Sequence, residues 1–121
     1  MNIIKLIALV AVIFSGSLFA HGNHQQSREQ AGWQMIAQGA LIIDVRTATE
    51  YAQGHLKGSV NIPFDVAVKQ FSALEIRKDR DVVLYCRSGN RSGKAFNSLK
   101  AAGYTKLHNG GGYDSMMAAK K

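Results

Sequence analysis

The chain has 121 residues, one cysteine, one proline and a formal charge of +7. That length holds one domain with room for a leader and excludes a multidomain enzyme. A single cysteine excludes an internal disulfide framework and a zinc site built on several thiolates, 46% hydrophobic residues speak against a disordered or multi-span membrane chain, and the positive balance favours anionic partners.

Residues 1–20 differ from everything after them. Lys5 supplies a positive start, residues 6–20 carry no charge, and Ala20 is a small residue of the kind that precedes a signal-peptidase cut. As a helix those fifteen uncharged residues would rise roughly 22 Å, short of the ~30 Å hydrocarbon core, so a spanning anchor fits less well than a secretory signal peptide. Cleavage after Ala20 would leave fourteen basic and eight acidic residues, a charge of +6, in an exported, periplasmic protein with no stable membrane span. In such an oxidising compartment thiols tend to be paired, yet the mature chain would keep only Cys86.

Residues 21–26 are polar and without apolar periodicity, a short solvated tail. His21 and His24 lie there, but no metal or cofactor is expected. The folded domain is expected over residues 27–121. Ser27 and Gln30 have capping-box spacing, Trp33, Ile36 and Ala37 follow at helical intervals, and Gly39 closes the segment. Residues 40–45 form an apolar run short enough for a buried strand. Thr47 and Glu50 repeat the capping-box spacing ahead of a short helix ended by Gly54, and residues 59–62 are extended before Pro63.

Asp65 is expected to cap a helix that turns Val66, Val68, Phe71 and Leu74 inward, and residues 78–81 form a charged turn. Residues 81–86 are the second buried strand, followed by a polar loop and a helix carrying Ala95, Phe96, Leu99 and Ala102 to Gly103. A last strand is expected over residues 105–108, a turn over 109–112 and a terminal helix over 113–119. Strands alternating with helices predict a single α/β domain, a central, mostly parallel sheet flanked by helices on both faces. The functional crevice of such a sheet lies beyond the carboxyl ends of its strands. Cys86 and the segment Asp44-Val45-Arg46 both fall there.

The informative stretch is Cys86-Arg87-Ser88-Gly89-Asn90-Arg91-Ser92, between a buried strand and a helix. A turn of this kind can curl so that successive backbone N–H groups face its centre and, with the positive end of the helix, bind an anion. Gly89 and Asn90 suit the unusual backbone angles of such a curl, and Arg87 and Arg91 add two positive charges. A thiol placed there should lose its proton readily, and the thiolate is the nucleophile. The plainer alternative, a small hydrophobic cysteine closing a core strand, sits poorly with successors that are polar, basic and turn-forming.

The stretch from Cys86 to Ser92 resembles the active-site loop of single-domain rhodaneses, the sulfurtransferases. Asp44-Val45-Arg46 with Glu50, residues 54–63 (GHLKGSVNIP) and Asn109-Gly110-Gly111-Gly112-Tyr113 are similar to further segments of that family, with Ser59 where the family more often carries alanine. The resemblance implies a sulfur relay. Cys86 would take the outer sulfur of a small anionic donor such as thiosulfate, hold it as a persulfide and pass it to cyanide, a thiol or a protein acceptor. Amides and hydroxyls from Arg87 through Ser88, Gly89, Asn90 and Arg91 to Ser92 would stabilise the charged outer sulfur, with Arg87 and Arg91 attracting the donor.

The remaining family positions read as supports. Asp44 and Arg46 would form a charge pair bracing the adjacent loop. Glu50 would cap a helix and, secondly, partner Arg46. His55 would be a hydrogen-bonded structural residue.

A cysteine phosphatase would need five residues between cysteine and arginine, whereas four separate Cys86 from Arg91. A persulfide carrier that delivers sulfur to a partner without turning over uses the same loop and remains the alternative to an enzyme. Nucleic-acid binding is not expected, because the basic residues are scattered rather than striped along one helix.

Overall fold

The computed structural model describes residues 25–121. The leader over residues 1–20, His21 and His24 lie outside the described residues. Among the described residues no helix is long and apolar enough to cross a membrane.

The chain alternates as expected. Helix α1 (Arg28–Ala37) is followed by β1 (Leu41–Asp44), α2 (Ala48–Ala52), β2 (Val60–Asn61), a 3-10 turn (Phe64–Val66) and α3 (Ala67–Ala73). Then come β3 (Val82–Cys86), α4 (Asn90–Ala101), β4 (Leu107–Gly112) and α5 (Tyr113–Ala119). Both capping boxes form, Ser27 with Gln30 ahead of α1 and Thr47 with Glu50 ahead of α2. Each satisfies otherwise unpaired amides of a first helical turn.

The four strands are parallel in the order β2-β1-β3-β4. All five residues of β3 are buried, as a central strand covered on both faces must be. One apolar layer joins Ile43, Val45, Leu84 and Cys86 to Phe71, Ala95 and Leu99 beneath α3 and α4. The other joins Ile42, Val83 and Tyr85 to Leu56 and Met116, with Trp33, Ile36 and Tyr113 against it. From β1 the chain first steps outward to β2, then crosses to β3 on the opposite side. The carboxyl ends of β1 and β3 therefore flank the topological switch point.

Two expectations are corrected. Asp65 makes no side-chain cap, because the 3-10 turn precedes the helix. Phe71 points inward as expected, joined by Ala67, while Val66, Val68 and Leu74 stay exposed because Val66 lies in the 3-10 turn and the buried face of the helix is narrow. The stretch 109–112 does not turn; β4 continues through it to Gly112. A bulge opposite Leu84 and Tyr85 skips Gly110, bringing Gly111 beside Tyr85 and Gly112 beside Cys86. The lack of a side chain on Gly112 permits this, because a Cβ there would run into the Arg87 carbonyl.

Candidate active site

Strand β3 delivers Cys86 to the carboxyl edge of the sheet, where it is 1% exposed. Gly89 then adopts φ 97°, in the left-handed region glycine enters without steric cost. The resulting curl turns the Gly89 N–H onto the Cys86 Sγ at 3.0 Å. The Ser92 hydroxyl approaches the same sulfur at 3.4 Å, and it also donates to Asn109 Oδ1 at 2.7 Å. Asn90 does not share the unusual angle. It is the first residue of α4 with ordinary helical backbone, so glycine alone makes the turn.

Burial by itself would push the Cys86 thiol up. The Ser92 hydroxyl and the amides of Ser92, Ser88 and Gly89 outweigh it and bring the thiol below its ordinary value. These donors stabilise the charged form at fixed positions. The thiol is thus enclosed by the loop, with amides aimed at its sulfur.

Arg91 and Arg87 both turn toward Glu50 on α2. The Arg91 guanidinium donates to the two carboxylate oxygens at 2.7 and 2.9 Å, and Arg87 Nε to Glu50 Oε2 at 3.2 Å. Hydrogen bonds from Arg91, helped by Thr47, hold the Glu50 carboxyl far below the usual carboxylate range. Two guanidiniums against one carboxylate leave the mouth of the loop with a surplus positive charge. The expected pairing of Glu50 with Arg46 is therefore corrected. Glu50 sits on α2 facing the β3–α4 loop, and Arg46 is satisfied elsewhere.

Arg46 pairs with Asp44, as expected. Its Nη2 donates to Asp44 Oδ2 at 2.7 Å, and the two residues are 5% and 0% exposed. Hydrogen bonding to Asp44 raises the already high guanidinium value. Arg46 also donates to the Gly54 carbonyl at 2.7 Å and lies 4.8 Å from the Tyr113 ring centroid. The pair thus ties the end of β1 to the loop after α2 and to α5. His55 takes a structural position: its Nδ1 lies 2.8 Å from the Tyr51 carbonyl oxygen and its ring stacks on Tyr51 at 3.7 Å.

Three further residues join the site, of which the sequence marked only Asn109, as part of the family-like segment 109–113 and without a role. Tyr85 donates to Asp44 Oδ2 at 2.7 Å and accepts from the Leu56 amide at 3.0 Å. Asn109, on the bulged strand, donates to the Gly89 carbonyl at 2.9 Å while receiving Ser92. Arg28, at the start of α1, donates to the Ser88 carbonyl at 3.0 Å. No local signal marks Tyr85 or Arg28, since each acts across the fold. Among the described residues no group of three or more His, Cys, Asp or Glu side chains could hold a metal ion.

Comparisons with known proteins bear on the family and the fold. The family model described as Rhodanese-like domain matches residues 28–119. A sulfurtransferase of Allochromatium vinosum is 44% identical over 69 residues, covering 57% of this chain and 63% of that protein, somewhat under two thirds of its length. Thiosulfate sulfurtransferase PspE of Escherichia coli strain K12 is 35% identical over 78 residues, covering 64% of this chain and 75% of that protein. Among solved structures, a rhodanese with anions from E. coli superposes with a TM-score of 0.57 at 36% identity, over 63% of this chain and 89% of that one.

Proposed function

Because the chain belongs to the rhodanese-like domain family, we propose that it is a sulfurtransferase using Cys86 as a persulfide-forming nucleophile. The donor is thiosulfate or a persulfide, and the acceptor is cyanide or a thiol, which a partner protein can also supply. The observation that carries this reading is the sulfur-centred loop, with the Gly89 amide 3.0 Å from Cys86 Sγ and three further donors lowering the thiol.

The steps follow from the loop's electrostatics. The Cys86 thiolate attacks the outer sulfur of thiosulfate. A new S–S bond forms, the S–S bond of the donor breaks, and sulfite leaves with the bonding electron pair. Arg87 and Arg91 at the rim attract the dianion and offset the charge on the departing sulfite. The outer sulfur of the persulfide then carries negative character, which the loop amides around Cys86 would stabilise. Cyanide attacks that sulfur, thiocyanate departs, and the electron pair of the broken S–S bond returns to Cys86 as thiolate. The covalent intermediate predicts ping-pong kinetics.

Location is part of the proposal: residues 1–20 direct export, and protein recovered from the periplasm should begin at His21. The activity is tested by thiocyanate production from thiosulfate and cyanide. Sustained turnover by wild type and none by Cys86→Ser supports the enzyme. Loading of Cys86 without turnover would replace it by a sulfur carrier, and full activity in Cys86→Ser would defeat both.

A further inference from the structure

We propose that Arg28 is a positioning residue for the Cys86 thiolate, acting through the Ser88–Gly89 peptide rather than by contact with the sulfur. The proposal rests on Cys86 being the nucleophile, and it deepens that reading. Arg28 Nη2 donates to the Ser88 carbonyl oxygen at 3.0 Å. The N–H at the other end of that same peptide unit, on Gly89, donates to Cys86 Sγ at 3.0 Å. Amide resonance couples the two ends. A cation at the oxygen draws electron density from the nitrogen and makes its N–H a stronger donor, the cooperative strengthening of linked hydrogen bonds. Arg28 thus places part of its charge at the sulfur from outside the loop.

The fold prepares a seat for it. A Cβ on Gly89 would lie 2.6 Å from Arg28 Nη1, and one on Gly111 2.8 Å from Arg28 Nε. Two glycines, one in the thiol loop and one at the β4 bulge, therefore leave the space that the guanidinium occupies. The Ser27 capping box fixes where α1 begins. The helix is held down by Trp33 Nε1, which donates to the Met116 carbonyl at 2.6 Å, and by His108 Nε2, 2.8 Å from the Arg28 carbonyl oxygen.

Other charges surround the loop. Arg87 and Arg91 face Glu50 of α2, Glu29 lies 3.2 Å from Arg28 Nε, Asp44 and Arg46 pair at the end of β1, and Lys94 of α4 lies over Phe64. β4 contributes the neutral Asn109 and the titratable His108, whose ring lies against the Arg28 carbonyl. Among these side chains only Arg28 hydrogen-bonds to the peptide that donates to the sulfur.

The test is the pH dependence of Cys86 alkylation by iodoacetamide in wild type, Arg28→Gln, Arg28→Lys and Glu29→Gln. A gain of a tenth to a third in a charge-assisted hydrogen bond corresponds to roughly a 1.3- to five-fold change in thiolate population. Arg28→Gln should therefore alkylate about 1.3- to five-fold more slowly below the thiol's titration midpoint. The plateau at high pH should equal or slightly exceed that of wild type, since a less stabilised thiolate is a somewhat better nucleophile. Arg28→Lys should restore much of the loss, and Glu29→Gln should move the midpoint down by removing a counter-charge. A merely structural role would slow or speed both limbs together, or shift thermal unfolding without shifting the midpoint. An unchanged midpoint in Arg28→Gln, or an upward one in Glu29→Gln, overturns the proposal. Alkylation needs no sulfur donor, so a protein that titrates as expected but makes no thiocyanate would fail the sulfurtransferase reading alone.

Discussion

Glu50 holds Arg91 with both carboxylate oxygens, at 2.7 and 2.9 Å, joining the first turn of α2 to the first turn of α4 across 41 residues of sequence. The same carboxylate closes the Thr47 capping box, so one side chain fixes a helix start and the rim of the thiol loop. Removing it as Glu50→Gln should cost about 1 kcal/mol at neutral pH, the scale of a well-formed, partly exposed pair. Arg91 holds the folded-state carboxyl below its unfolded value. The stabilisation is therefore complete above the unfolded value of ~4.3 and lost as pH falls from there toward the depressed folded value. Urea unfolding at neutral and acidic pH checks this. A wild-type advantage that grows on acidification would contradict it.

Arg91→Ala should weaken donor capture more than the chemical step. Losing one charge-assisted contact to a dianion corresponds to about a ten-fold rise in KM for thiosulfate with a smaller change in kcat. Added salt should narrow the gap between variant and wild type by screening the Arg91 charge that only wild type offers the donor. Steady-state kinetics at two ionic strengths provide the measurement, and an unchanged KM would remove Arg91 from donor binding.

Ser92→Ala removes a hydroxyl that reaches the Cys86 sulfur and leaves burial unopposed by that donor. The thiol should then titrate closer to the ~8.5 of an ordinary cysteine. Ultraviolet absorbance of the thiolate across pH reads this directly. Wild type already titrating as a free cysteine, or a variant unchanged from wild type, would deny the loop its part in activation.

Asp44→Asn should be the most destabilising of these substitutions. It leaves the Arg46 guanidinium, 5% exposed, without its carboxylate, and an uncompensated buried charge costs about 3–5 kcal/mol. Replacing both residues, as Asp44→Asn with Arg46→Met, should recover part of that loss. Denaturant midpoints settle the order; a loss no larger than that of Glu50→Gln would show that the buried pair does not brace β1.

Local chemistry makes much of this legible in the sequence. Residues 41–44 and 82–86 show as strands because burial on both faces leaves unbroken apolar runs, and Ser27 and Thr47 announce their helices because a capping box closes within three residues. In the helix after Pro63, Phe71 shows as a core residue, whereas Val66, Val68 and Leu74 look inward-facing by composition yet stay exposed, since a 3-10 turn opens the helix without a distinctive residue. Asn109 to Gly112 look like a turn by composition, and only the neighbouring backbone at Arg87 explains why a strand passes there. Cys86 with its loop was visible as a contiguous segment. The partners that place the loop were not: Glu50 reaches Arg91 and Arg28 reaches Ser88 through pairings that no sequence spacing encodes.

Intact-mass and peptide mass spectrometry of the protein after brief exposure to thiosulfate bears most directly on whether Cys86 carries sulfur. The expected result is the gain of one sulfur atom, localised to the peptide containing Cys86 and discharged by cyanide. An unmodified Cys86, or added sulfur that cyanide does not remove, would contradict it.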